Sequence, residues 1–164
     1  MKLRMVQFIA ILLLMLVTGV FWGTWFSLGR SIASITPITY LETGHTIIRN
    51  LTWPMRFLFP AALLSTLALQ IGLFRQRSGT TPGGACYLNV LGLLLFVVAL
   101  IVTLQVNVPI DNQLRHWTIS TLPSNWQAIR DRWQLYHTVR TFASLGGLAL
   151  ILAGALFFKE ELPA

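Results

Sequence analysis

The sequence predicts an all-α fold, an integral membrane four-helix bundle with a short extra helix in its outer loop, and three observations predict it. Charged residues fill only 10% of the 164 positions and hydrophobic residues 55%, whereas a soluble domain carries roughly 25% charge. Mean hydropathy is +0.68. The apolar residues are gathered into four runs, each close to the ~20 residues a helix needs to cross hydrocarbon. Too little polar surface remains to cover a globule in water, so lipid must face much of the chain. The length suits a single transmembrane domain over 1–164, and no internal repeat is visible.

The first run, Met5 to Leu28, carries no charge. Lys2 and Arg4 before it resemble the start of a secretory signal. No small-x-small cleavage site followed by a soluble domain is visible, so an uncleaved anchor is expected. Gly19 and Gly23 make a GxxxG pair, which lets a second backbone approach and is compatible with a homo-oligomer. The second span is expected over about Pro54 to Phe74, with Pro60 kinking it or limiting its first turn. The third runs from about Tyr87 to Val106. The fourth runs from about Thr138 to Phe158, where Ala143, Gly147 and Gly154 suggest a packing seam.

Three polar connections separate these spans: Ser27–Trp53, the turn-rich RQRSGTTPGGA at Arg75–Ala85, and Asn107–His137. The net charge is +7, but its basic residues are scattered, with no basic helix face and no aromatic RNA-binding motif. That pattern speaks against nucleic acid and for membrane lipids with anionic headgroups, or an acidic ligand, as partners. The raw Lys/Arg count does not favour a positive-inside assignment with cytoplasmic termini, since Arg30, Arg49, Arg56, Arg115, Arg130, Arg132 and Arg140 would lie on or near the other side. Because Lys2, Arg4, Arg75, Arg77 and Lys159 sit in short flanks where the positive-inside rule is read, both termini are expected in the cytoplasm. Cys86 is the only cysteine, which excludes an internal disulfide, a CxxC pair and a thiolate zinc site. It reads as a small apolar residue.

The segment Asn107–Arg140 holds the most informative polar chemistry. Pro109 is expected to end the third span, with Asp111 or Asn112 capping a short helix. Ser124 with Gln127 three residues on reads as a capping box that starts a new helix near Ser124, running on into the fourth span. On that helix Trp126, Arg130, Trp133, His137 and Arg140 step by four, three, four and three. At about 100° per residue they share an arc of about 80°. An interfacial belt of Trp117, Trp126, Trp133 and arginines is the bland explanation. It accounts less well for His137 and Arg140, which begin the apolar run, where ionisable residues are paired and often functional.

The functional reading is a pocket. His137 exchanges a proton near neutral pH, Arg130 or Arg140 holds an anion, and Trp126, Trp133, Trp117 and Tyr136 form walls against a flat ligand. Asn107 and Asn112 add neutral hydrogen-bonding groups. A metal set from His45, Glu42, His116, His137 and Asp111 is an alternative, but none of these has a spacing such as HExxH. No GxSxG, P-loop or GxGxxG occurs.

These residues resemble the anthrone oxygenase-like family, many of whose members are known only as a domain of unknown function. The resemblance lies in N-x-P-I-x-N at Asn107–Asn112, then Leu114, Trp117, Trp126, Arg130, Arg132-Trp133, His137 and Arg140. Upstream, WGTWFSLGRSIASITPITYLE, Asn50-Leu51 and Pro54-Met55 look like bacterial members, which implies a bacterial inner membrane. The family implies a four-span membrane oxidoreductase that oxidises anthrones to anthraquinones with molecular oxygen and no organic cofactor. Carried onto this chain, it implies a flat aromatic or quinol-like substrate against Trp126 and Trp133, with His137 as general base. Arg130 or Arg140, with Asn107 and Asn112, would hold the resulting anion. Two alternatives stand beside this: a non-catalytic module binding a lipid, quinone or protein partner through the 107–140 face, and a metal- or haem-dependent redox protein.

Overall fold

The computed structural model describes residues 2–29, 31–76 and 83–158, apart from the side chains of Lys2 and Gln76. Arg30, Lys159 and most of the Arg75–Ala85 loop lie outside the described residues. All regular structure among those described is helical: α1 Lys2–Thr24, α2 Pro37–Gln76, α3 Gly84–Val102, α4 Val108–Leu114 and α5 Trp126–Phe157. A π-helical turn, Trp25–Gly29, follows α1, and another, Thr103–Asn107, joins α3 to α4.

Four segments are long and apolar enough to cross a bilayer: Leu3–Gly29, Pro37–Arg75, Gly84–Leu114 and Trp126–Phe157. Helix is the answer hydrocarbon demands, because every backbone N–H and C=O must be satisfied within its own segment. The protein is an integral membrane helix bundle.

The helices form a closed ring in which α1 packs on α2, α2 on α3, α3 on α5 and α5 on α1. Neighbours run antiparallel: Leu3, at the start of α1, meets Gly72 near the end of α2, and Ala85, at the start of α3, meets Gly154 near the end of α5. The expected seam on the fourth span exists. A Cβ on Gly147 would lie 2.8 Å from the Gly92 carbonyl oxygen, so α3 and α5 touch backbone to backbone. The GxxxG pair behaves otherwise, since a Cβ on Gly19 or Gly23 would meet nothing within 4 Å. Among the described residues that pair packs against no other helix.

The helix boundaries depart from the apolar runs in an instructive way. α2 has 40 residues, about 60 Å at 1.5 Å per residue, or twice the ~30 Å of hydrocarbon. It begins at Pro37 rather than Pro54, and both Pro54 and Pro60 lie inside it. α5 likewise begins at Trp126, twelve residues before the apolar run. Hydropathy marks where lipid begins, not where backbone hydrogen bonding begins. Pro109 does not end the third span but sits in the first turn of α4, and the chain passes to it through the π turn. Neither Asp111 nor Asn112 caps that helix. The capping box does not form either, because Asn125 is the N-cap of α5 and no side chain bonds there.

Two apolar clusters result. Leu14, Val17, Phe59, Leu69, Phe96 and Ile151 fill the bundle centre. Ile32, Tyr40, Leu41, Ile48, Leu114 and Trp126 close the end where the polar segments meet. Toward the opposite end, Asn89 Nδ2 donates to Gln70 Oε1 (2.7 Å), and Gln70 Nε2 donates to the buried Cys86 Sγ (3.0 Å). This chain of contacts ties α2 to α3.

Candidate functional site

A cavity of about 540 Å³ opens between the C-terminal end of α1, the first half of α2, the end of α3 with α4, and the beginning of α5. That volume lies within the ~300–1,000 Å³ typical of small-molecule sites. Its wall is mostly apolar, with Phe21, Ile48, Met55, Phe59 and Leu100 among its members. The polar members that matter are Tyr40, Asp111, His137, Arg140, Arg56 and Arg115.

The predicted face on α5 does turn inward. Trp126, Arg130, His137 and Arg140 are buried and Trp133 is half-buried. Yet the cavity divides the face. Trp133, His137 and Arg140 line it, whereas Trp126 and Arg130 lie outside its wall. Trp126 packs on Tyr40 with ring centroids 5.3 Å apart. Arg130 lies over Trp126 at 5.2 Å and pairs with the exposed Asp131 at 2.8 Å. Trp117 packs against the second apolar cluster, and Tyr136 is half-buried outside the cavity wall. Asn112 is exposed on the wall.

Asn107 is wholly buried behind the wall, its Nδ2 donating to the Trp133 carbonyl at 3.1 Å and its Oδ1 without a partner. The π turn explains how it gets there. An extra residue per turn rotates Asn107 and Thr103 toward α5, and single-turn π segments frequently mark functional sites. Thr103 Oγ1 accepts from Arg140 Nη1 at 3.3 Å.

His137 is 1% exposed. It stacks on Trp133 with centroids 4.7 Å apart and planes 27° off parallel, and meets Phe21 edge-on at 6.3 Å. Arg140 Nε donates to His137 Nδ1 at 3.0 Å. A guanidinium has only donors, so Nδ1 is the acceptor and the neutral ring carries its proton on Nε2. Among the described residues that Nε2 is buried without a partner, on a residue that lines the cavity. An unsatisfied donor in so apolar a place is costly unless a ligand or water meets it. Arg140 itself lies over Phe21 at 4.5 Å and over Trp133 at 5.9 Å, a cation–π arrangement that compensates its burial.

Asp111, which the sequence offered only as a helix cap or a metal ligand, is a member of the wall. Its Oδ1 accepts from Trp133 Nε1 at 2.8 Å, and no other hydrogen bond reaches it among the described residues. The signal that could have found it is its place within N-x-P-I-x-N, four residues from Asn107 along a helix.

The histidines do not converge. His45 Nε2 bonds the Leu114 carbonyl at 2.8 Å, His116 Nδ1 bonds the Asn112 carbonyl at 2.8 Å, and Glu42 is exposed. Among the described residues no three His, Cys, Asp or Glu side chains gather as a metal would require, so the set His45, Glu42, His116 and His137 is not assembled.

The arrangement can stack a flat ring against Trp133 and His137, donate one N–H to an oxyanion, and accept a proton at a carboxylate. No curated protein and no solved structure matches the chain. The sequence model of the anthrone oxygenase family matches residues 52–150, more than half of the chain, including α3, α4, most of α5 and the wall residues Arg56, Asp111, Arg115, His137 and Arg140. The chain therefore belongs to the anthrone oxygenase family.

Proposed function

We propose that this membrane protein oxidises a flat aromatic or quinol-like substrate with molecular oxygen, in the cavity bounded by Trp133, His137 and Asp111. The observation that carries the reading is the buried, unpartnered Nε2–H of His137 at the cavity, on an imidazole stacked on Trp133 and held by Arg140. Family membership supports the reaction class.

The substrate implied is a ring ketone bearing an acidic CH₂ group, as in an anthrone. Removing one C–H proton leaves an enolate whose charge rests largely on oxygen. His137 Nε2–H donates to that oxygen, and Arg140, bonded to Nδ1, adds positive charge behind it. Donors fixed in place before charge develops are the effective kind in a water-poor site. Because Nδ1 already accepts from Arg140, His137 has no free lone pair with which to take the proton. Asp111, held at Oδ1 by Trp133, has one. The general base is thus Asp111 rather than His137, which becomes the oxyanion donor.

The carbanion carbon then bonds to one atom of O₂. Protonation gives a hydroperoxide, whose O–O bond breaks as the second C–H proton leaves. One oxygen atom remains as the new ketone and the other departs as water with the two hydrogens of the CH₂ group. No organic cofactor and no external reductant enters this balance. In the cell the protein is assigned to a bacterial inner membrane with both termini cytoplasmic, so the cavity lies toward the outer face.

Oxygen uptake with anthrone, corrected for spontaneous oxidation, tests the reading on purified protein. We expect uptake by the wild type and a loss of about 100-fold in His137→Ala with the bundle still folded. No uptake above background with any of a panel of anthrones and quinols sinks the oxygenase and leaves a binding module using the same cavity.

A further inference from the structure

Four formally charged side chains line the cavity: Arg56, Arg115, Arg140 and Asp111. Arg140 is engaged by His137 and Thr103, and Asp111 by Trp133. The other two arginines are left over by the proposed chemistry. Arg115 Nη2 donates to Thr52 Oγ1 at 2.6 Å. Thr52 and Arg56 are four residues apart on α2, so their Cβ atoms are neighbours about 5–6 Å apart on one helix face. The two arginines therefore arise on one stretch of the cavity wall, Arg56 from α2 and Arg115 from just beyond α4. The ion pair made among the described residues is Arg130–Asp131, so neither Arg56 nor Arg115 has a carboxylate at ion-pair distance. Both side chains are exposed, so their guanidinium N–H groups can donate to an anion at the edge of the cavity.

Their place in the wall shows where the cavity opens. The exposed wall residues are Thr52, Arg56 and Pro60 on α2, Leu104 and Val108 below, Asn112 on α4 and Arg115 just after it; those from α1 and α5 are buried or half-buried. The mouth thus lies between α2 and the α3–α4 segment. Apolar Pro60, Leu104 and Val108 form the side toward the bilayer, and the two arginines form the side toward water.

We propose that Arg56 and Arg115 form a recognition site for the carboxylate of an amphiphilic aromatic acid, which enters sideways from the bilayer and seats its rings against Trp133 and His137. This rests on the aromatic reading of the cavity and adds its substrate class: a flat molecule carrying an acidic group at one end. The arginines bind and orient, and neither touches the reacting carbon. A phospholipid phosphate offers similar anion chemistry, and the experiment separates the two sources.

The full chain is reconstituted in phosphatidylcholine nanodiscs, and binding of anthracene-2-carboxylate and of its methyl ester is followed by fluorescence, corrected for partition into lipid. The wild type is expected to bind the acid about tenfold more tightly than the ester, as charge-assisted hydrogen bonds warrant. The double variant Arg56→Gln, Arg115→Gln should bind both alike, with ester affinity unchanged, which also shows that it is folded. Arg56→Lys alone should keep part of the preference. Equal binding of acid and ester by the wild type, or a preference that survives in the double variant, overturns the anion site alone. Failure of both probes to bind overturns the aromatic reading together with it. Replacing part of the lipid by phosphatidylglycerol should leave acid affinity unchanged. Competition that disappears in the double variant would give the site to lipid headgroups and overturn the proposal.

Discussion

Arg140 Nε donates to His137 Nδ1 over 3.0 Å, and that one bond decides which nitrogen of the imidazole faces the cavity with a proton. On the proposed reading, the histidine that the family resemblance implies as a base serves instead as a donor, positioned by its neighbour three residues on. Nitrogen NMR of ¹⁵N-histidine-labelled protein should show His137 as the Nε2–H tautomer. Replacing Arg140 by Met should yield a mixture of tautomers and a loss of oxygen uptake no larger than the about 100-fold expected of His137→Ala. A pure Nδ1–H form in the wild type would contradict the assignment.

Asp111 and His137 make separable predictions. Asp111→Asn keeps size and the Trp133 contact but cannot take a proton. Uptake should fall by about 10²–10⁴-fold, the range for removing a general base, while binding of a flat ligand persists. Near-normal turnover in Asp111→Asn, with none in His137→Ala, would restore His137 as the base.

Gly147 and Gly19 look alike in sequence, each a glycine in an apolar helix, and should behave in opposite ways. A Cβ on Gly147 would stand 2.8 Å from both the Gly92 carbonyl oxygen and Phe96 Cδ2, while one on Gly19 meets nothing within 4 Å. Gly147→Ala should destabilise the bundle by about 1–3 kcal/mol. Gly19→Ala should be neutral or slightly stabilising, because glycine is the weaker helix former. Thermal unfolding in detergent compares them directly.

Gln70 and Asn89 should be coupled. Asn89 Nδ2 donates to Gln70 Oε1 at 2.7 Å inside the bundle, where interhelical polar pairs average about 0.6 kcal/mol with values up to about 2. Asn89→Leu leaves Gln70 Oε1 unpaired and should cost more than the double change Asn89→Leu, Gln70→Leu implies by addition. Additive effects in the cycle would show that the pair contributes only packing.

Much of this molecule is legible in its sequence because a bilayer enforces simple rules. Four apolar runs had to become helices, since no other local structure satisfies the backbone in hydrocarbon. The 3.6-residue period likewise placed His137 and Arg140 on one inward face with Trp133. Helix ends were harder to read, because backbone bonding at Pro37–Trp53 and Trp126–His137 continues past the edge of the apolar pattern.

Tertiary packing decided the site. Period alone gives Trp126 and Arg130 the same standing as His137 and Arg140, but Tyr40 covers Trp126 and Asp131 takes Arg130. The π turn at Thr103–Asn107 brings Asn107 behind Trp133 and leads into the short helix that carries Asp111. Arg56 and Arg115, 59 positions apart in sequence, line one cavity because Arg115 bonds Thr52, one turn before Arg56 on α2. Hydropathy and helical period are properties of one segment. A cavity is a property of the gaps between segments, and only the packing of all four could determine which polar groups share it.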